Sequence, residues 1–142
     1  MSKENKTLKN MKWYLKVLTN YANFRGRARR SEFWFFALFN MIFSIGVLIL
    51  DNGLGTAISI HDNSYGDIPM PYGFIYVFYT MAIFIPGLAV TVRRLHDVGK
   101  SGWMYFIILI PIIGVIWLLV LFFTDSQNVS NKWGDNPKMV ES

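Results

Sequence analysis

Between Thr91 and Trp103 the chain places Arg93, Arg94, His96, Asp97 and Lys100 within eight residues. Such a density of ionisable groups could hold an anion, relay a proton or dock a charged partner. Arg93 and Arg94 stand four and three residues before Asp97, the separations at which side chains on one helix meet, so either can form an ion pair with it. An imidazole at position 96 changes charge near neutral pH and can exchange a proton or hydrogen bond with a phosphate or carboxylate. A second group, Arg25, Arg27, Arg29 and Arg30 followed by Glu32, has the same character. If the two groups share a face, Glu32 is expected to pair with Arg93 or Arg94, and Asp97 with Arg27 or Arg30. The candidate site is therefore Arg27, Arg30, Glu32, Arg93, Arg94, His96, Asp97 and Lys100. It reads first as an anchor that fixes register and docks a partner, and second as a site for a lipid headgroup or another anionic ligand.

Other chemistries are poorly supplied. There is no cysteine, the two histidines His61 and His96 fall on opposite sides of the membrane topology derived below, and neither a Gly-rich phosphate loop nor a nucleophile elbow occurs. No catalytic set, metal site or cofactor is expected. Asp62 and Asp67 could pair as acid and base, but loop carboxylates are usually just solvated. The isoelectric point near 9.6 raises nucleic acid as a partner, yet membrane topology accounts for the basic residues, and no nucleic acid is expected.

The elements that must position these groups are apolar. Hydrophobic residues make up 53% and aromatic residues 17% of the 142, with a mean hydropathy of +0.31, above the usual soluble range of roughly 45–50% apolar. The excess sits in blocks. Tyr72–Val92 and Trp103–Phe123 are uncharged runs of 21 residues and Phe33–Leu50 one of 18, against the roughly 20 helical residues that cross about 30 Å of hydrocarbon. They lack the polar stripe of a soluble bundle helix, and the polar, basic first 32 residues do not form a cleaved signal peptide. The expected fold class is all-α, an integral membrane helical bundle with three transmembrane helices (33–50, 72–92, 103–123) and an N-terminal amphipathic interfacial helix. Its divisions are a basic segment 1–32, a membrane domain 33–123 and a polar tail 124–142.

Nine of the fourteen Lys and Arg residues precede the first span, none lies in 51–71, three lie in 93–102 and two follow 123. By the positive-inside rule the N-terminus and the 93–102 turn are cytoplasmic, and the loop 51–71 with Asp51, Asp62 and Asp67 faces outward. Three spans then leave the tail outside. In the N-terminal segment Leu8, Met11, Leu15, Leu18 and Ala22 recur at helical spacing, with Lys9, Lys12 and Lys16 on another arc, and Trp13, Tyr14 and Tyr21 suit the headgroup layer of an anionic leaflet. Gly26 is expected to turn the chain, Ser31 to cap the first span, Gly99 to end the second and Ser101 to start the third. The turn formers in 51–71 predict an irregular loop, and Asn131–Pro137 a compact interfacial turn.

Within the spans, Asn40, Pro86 and Pro111 fall at similar depth. Each proline frees the carbonyl four residues earlier, that of Ala82 or Ile107, so Asn40 is expected to face inward and donate to one of them. Gly87 and Thr91 would allow close helix approach. The layer reads as packing and kinking, or alternatively as a polar vestibule for a solute.

Three phrases together resemble a known group: Phe24 to Trp34, Leu88 to Trp103 with Arg93-Arg94-Leu95-His96-Asp97-Val98-Gly99-Lys100-Ser101-Gly102-Trp103, and Asn131-Lys132-Trp133-Gly134-Asp135-Asn136-Pro137. The chain resembles, over about Tyr21 to Pro137, the bacterial membrane protein family called domain of unknown function 805. The resemblance implies a small helical protein of the bacterial cytoplasmic (inner) membrane and transfers no catalytic residue. The loop 51–71 and the N-terminal extension are the least family-like parts. Composition, topology and resemblance give a multi-pass, non-enzymatic membrane protein acting as a scaffold or accessory subunit through a charged cytoplasmic face. Its partners would be anionic lipid headgroups and a membrane protein or a second copy of itself. The alternative is a small-solute transporter or channel component, oligomeric because three helices enclose little volume.

Overall fold

The computed structural model describes residues 3–62 and 66–140, with side chains described for 11–59, 70 and 72–139. In chain order it contains α1 (Lys3–Thr19), α2 (Arg30–Leu54), β1 (Ala57–Asp62), β2 (Gly66–Gly73), α3 (Phe74–Asp97), a 3-10 helix (Gly102–Leu109), α4 (Ile113–Phe123) and a closing single turn α5 (Pro137–Val140). Two of these, α2 and α3, are long and apolar enough to cross a membrane. The chain forms two compact units, one of Ala37–Phe84 and one built from the residues up to Phe36 and from Ile85 onward.

In the first of these units α2 runs beyond Leu50, where hydropathy alone would end it, and stops at Leu54 because Gly55 takes the left-handed region at φ 69°. Thr56 then donates its N–H back to the carbonyl of Asp51 at 3.0 Å. The segment that follows corrects the irregular loop expected from its turn formers. Ile58-Ser59-Ile60 alternates apolar with polar, the period of a strand, and β1 pairs antiparallel with β2, Ile60 opposite Ile68 and Ser59 opposite Pro69. A two-stranded ribbon tolerates the prolines of β2 because each strand keeps an edge that donates nothing to the ladder. The side chains of His61, Asp62 and Asp67 lie outside the described residues, as do those of Leu8 and Lys9 in α1.

Asp51 joins the end of α2 to the start of α3. Its carboxylate, fully buried, accepts the N–H groups of Gly73 (3.1 Å), Ile75 (3.1 Å) and Tyr76 (2.8 Å) and the hydroxyl of Thr56 (2.6 Å). Phe74 N–H goes to the Thr56 carbonyl at 3.3 Å. The four orphan donors of a helix N-terminus are thus all satisfied, and the negative charge sits at the positive end of the helix dipole. Gly73 is required there, because a Cβ would collide with the Asp51 carboxylate and the Thr56 carbonyl. In the same unit Asn40 turns toward α3, where its Oδ1 accepts from Tyr79 Oη at 2.8 Å.

The other unit contains the third apolar run. Residues 103–123 do not form one 21-residue helix: the 3-10 helix ends at Leu109, the chain turns through Ile110–Ile112, and α4 packs back against the 3-10 helix. Pro111 cannot donate to a preceding turn, so it marks the tip of a hairpin instead of a kink within a helix. Ile107 O, the carbonyl that Pro111 would have freed, accepts the N–H of Ile110 at 3.0 Å inside the hairpin. Gly114 permits the reversal, since a Cβ would overlap the carbonyl of Ile107. Leu95 and Val98 of the α3 terminus pack with Leu118 and Leu121 of α4, flanked by Met104, Tyr105, Ile107 and Phe122. Pro86 lies buried within a continuous α3, Gly87 faces the Phe36 ring, and Thr91 returns its hydroxyl to the Gly87 carbonyl at 2.7 Å.

At the hairpin tip Ile112 adopts φ 66°, ψ −64°, and Ile113 N–H bonds to the Pro111 carbonyl at 2.8 Å. This is a γ-turn centred on a β-branched residue, a strained arrangement. Ile112→Gly is expected to raise the thermal midpoint, the release of about 1–3 kcal/mol of strain exceeding the entropy that glycine adds to the unfolded chain. Ile113→Gly, inside α4, should lower it; a melting series in detergent separates the two.

Candidate functional site

The charged groups converge where α3 ends. Its last turn closes on Gly99 at φ 75°, with Gly99 N–H on the His96 carbonyl (3.0 Å) and Lys100 N–H on that of Leu95 (2.9 Å), the bond pair of a Schellman cap. The expected cap at Gly99 is therefore present. Ser101 opens the 3-10 helix through its carbonyl, which accepts Met104 N–H at 2.9 Å, and its side chain makes no capping bond. Ser31 departs from expectation too: α2 already starts at Arg30, so Ser31 lies inside the first turn.

Two ion-pair groups occupy this junction. In one, Glu32 is fully buried between Arg93 Nη1 at 2.7 Å and Lys16 Nζ at 3.2 Å. In the other, Asp97 is fully buried between Arg27 Nε at 3.0 Å and Arg94 Nη1, and it also accepts the Ser126 hydroxyl. Backbone pairing adds to these contacts, with Ala28 N–H on the Arg93 carbonyl at 3.0 Å. The N-terminal segment thus reaches α3 by both Glu32–Arg93 and Arg27–Asp97, and α1 joins through Lys16 and through Tyr14 stacked on Phe36.

Each carboxylate faces two cations, and around Asp97 the surplus positive charge is met by carbonyl oxygens of the tail. Arg27 donates to Gln127 O (2.6 Å), Val129 O (2.8 Å) and Gly134 O (3.3 Å). Arg94 donates to Phe122 O at 3.3 Å and to Thr124 O, Trp34 Nε1 donates to Phe122 O at 3.3 Å, and Arg30 donates to Phe123 O at 3.2 Å. These are the unpaired carbonyls at the negative end of α4, where guanidinium groups are favoured. Arg29 donates to Pro137 O at 2.8 Å. Gln127 N–H returns to the Asp97 carbonyl at 3.1 Å, and Asn131 Nδ2 donates to the His96 carbonyl at 3.0 Å.

His96 is positioned by the same tail. Its ring stacks on Trp133 at 4.5 Å between centroids, and Nδ1 lies 3.2 Å from the Gly26 carbonyl, which requires the proton on Nδ1. Gly26, at φ 84°, makes the turn that brings this carbonyl there. Outside the buried groups, Asp125 takes Lys138 Nζ at 2.6 Å and Arg30 Nε at 3.7 Å. The Lys138 hydrogen bond first, and then the Ser126 N–H, hold its carboxyl below the usual carboxylate range. This exposed contribution is present above the unfolded value of about 4 and is lost as pH falls through the lower folded one.

Of the candidate residues, Arg27, Glu32, Arg93, Arg94, His96 and Asp97 are brought together and buried, Arg30 stands at the rim, and Lys100 is exposed with no ion pair among the described residues. Lys16, Ser126, Gln127, Asn131 and Trp133 were not in that set and complete the junction. The turn chemistry of Asn131–Pro137 was the available signal for the last two. Gly99→Ala is expected to lower stability by about 1–2 kcal/mol for the left-handed backbone, plus the cost of displacing the Gln127 amide that a Cβ would meet. Gly26→Ala, with open space around it, should show the backbone cost alone in the same melting assay.

Residues 21–135 match the family model described as "Protein of unknown function (DUF805)". The chain is 40% identical over 131 residues to "Inner membrane protein YhaH" of Escherichia coli K12, covering 91% of this chain and 98% of that one. It is 39% identical over 128 residues to "Inner membrane protein YhaI" of the same organism, covering 90% and 97%. No solved structure matches.

Proposed function

Since the chain belongs to the bacterial membrane protein family described as protein of unknown function DUF805, we propose that it works in the inner membrane as a non-catalytic scaffold or accessory subunit. In this reading α2 and α3 cross the bilayer, the N-terminus and the charged junction are cytoplasmic, and the hairpin of β1 and β2 faces outward. The basic residues before α2 and at 93–100 support that orientation, and none lies in 51–71.

The observation that carries the scaffold reading is how the buried charges are used. Arg27, Arg94 and Asp97 bond one another and the chain's own backbone, with Arg93 and Glu32 paired beside them, while Arg94 Nε and Arg93 Nε and Nη2 are buried without a hydrogen-bond partner among the described residues. They build a rigid cytoplasmic platform, and the exposed cations Arg25, Lys100 and Lys132 at its rim are left to meet anionic headgroups or an acidic partner surface. Placing a photoreactive amino acid at position 100 in native membranes tests this. The expected result is one defined protein adduct, lost when Arg25→Glu/Lys132→Glu is added to the probe-bearing chain, while the unfolding free energy stays within about 0.5 kcal/mol of wild type, as for ordinary surface changes. Solute flux through liposomes holding only the purified protein would overturn it in favour of a transporter.

A further inference from the structure

The hairpin of residues 102–123 has two arms of equal reach. Eight residues of 3-10 helix at about 2.0 Å each and eleven of α-helix at about 1.5 Å each both extend about 16 Å. That is about half of the roughly 30 Å of hydrocarbon in a bilayer. Both arms are rooted in the charged junction: the outgoing arm follows the Gly99 cap, and the returning arm ends with its carbonyls on Arg94, Trp34 and Arg30. The segment therefore leaves and rejoins the protein at one level.

Its outer surface suits only an apolar surrounding. No charged residue occurs between Gly102 and Phe123, and the exposed side chains include Trp103 (79%), Leu109 (76%) and Ile112 (74%). The tip meets most of the requirement that hydrocarbon places on backbone N–H groups. Pro111 has no N–H, and the N–H groups of Ile110, Ile113 and Gly114 are taken by the carbonyls of Ile107, Pro111 and Ile110 at 2.8–3.0 Å. A full crossing would instead need these 22 residues as one straight helix and would carry the tail away from Arg27 and Asp97.

We infer that residues 102–123 form a re-entrant hairpin that dips into one leaflet, is covered by its acyl chains, and returns the C-terminal tail to the side of the N-terminus. Which leaflet this is rests on the cytoplasmic orientation proposed above; the return itself does not. Because the chain contains no cysteine, single-cysteine variants Asn5→Cys, Leu109→Cys, Ile110→Cys and Ser142→Cys can be probed with a membrane-impermeant maleimide. Right-side-out and inside-out vesicles of the native membrane are compared. Asn5→Cys and Ser142→Cys are expected to label together in inside-out vesicles only, and the two tip variants in neither until detergent is added. Labelling of both termini in right-side-out vesicles would overturn the cytoplasmic orientation while keeping the hairpin. Labelling of the two termini from opposite sides would overturn the hairpin. Tip variants that label from the cytoplasmic side as fast as the tail would place the segment outside the bilayer. Tip variants that oxidise to a covalent dimer would show a second copy, not lipid, covering it.

Discussion

Asp97→Asn will cost the protein about 3–5 kcal/mol, the loss expected when one member of a buried ion pair is removed and its partners stay charged. The magnitude follows from what Asp97 balances. Its carboxylate is fully buried against Arg27 and Arg94, both nearly without solvent contact, and it holds the Ser126 hydroxyl as well. An amide can accept one of these bonds but cannot neutralise either guanidinium. Against a total stability of about 5–15 kcal/mol this is a large fraction. The expected observations are a sharp fall in the amount of protein in the membrane and a lower thermal midpoint in detergent. The neighbouring exposed change Lys100→Gln should leave both within error. A midpoint unchanged in Asp97→Asn would mean that the two arginines find water or other acceptors, and the junction would not be closed.

Asp51→Ala is expected to have the next largest effect, about 2–4 kcal/mol, because hydrogen bonds to a charged group are worth roughly 1.5–3 kcal/mol each and buried donors left unpaired add their desolvation cost. Four donors converge on this carboxylate, three of them the backbone N–H groups of Gly73, Ile75 and Tyr76. Asp51→Asn keeps the volume and one acceptor oxygen but turns an amide N–H₂ toward backbone donors, so it should recover little. Amide exchange at Ile75 and Tyr76 is the local readout. It should speed up in both variants if Asp51 caps α3, and stay unchanged if these N–H groups have another acceptor.

Both residues show where sequence reasoning reaches and where it stops. Asp97 and its pairing with Arg27 could be anticipated, because opposite charges stranded between apolar runs have few places to go except to each other. The same holds for Glu32 with Arg93, and for Gly99, whose place after a charged helical turn signals a left-handed cap. Asp51 looked like one more acid in a polar outer loop, because nothing local says that a carboxylate at the end of one helix will cap another more than twenty residues on. The strand pair after it was masked by prolines and turn formers that an edge strand tolerates. The bend in the third apolar segment, expected as one helix, was missed for a related reason: a run that is apolar all round carries no periodicity, so it is silent about where it bends. Pro111 and Gly114 marked the place, but the reversal depends on a backbone approach between Gly114 and Ile107 that spacing does not encode. The tail's part in the site was hidden because it contributes mainly carbonyl oxygens, which every residue has.

The buried charges pair with one another and tie the N-terminal segment to the end of α3. A double-mutant cycle on Arg27 and Asp97 tests this most directly, with Arg27→Met, Asp97→Asn and the double variant compared by thermal unfolding in detergent. The predicted result is a double variant less damaged than the sum of the singles, with a coupling of about 1–3 kcal/mol as for residues in direct contact. Strictly additive losses would contradict the account.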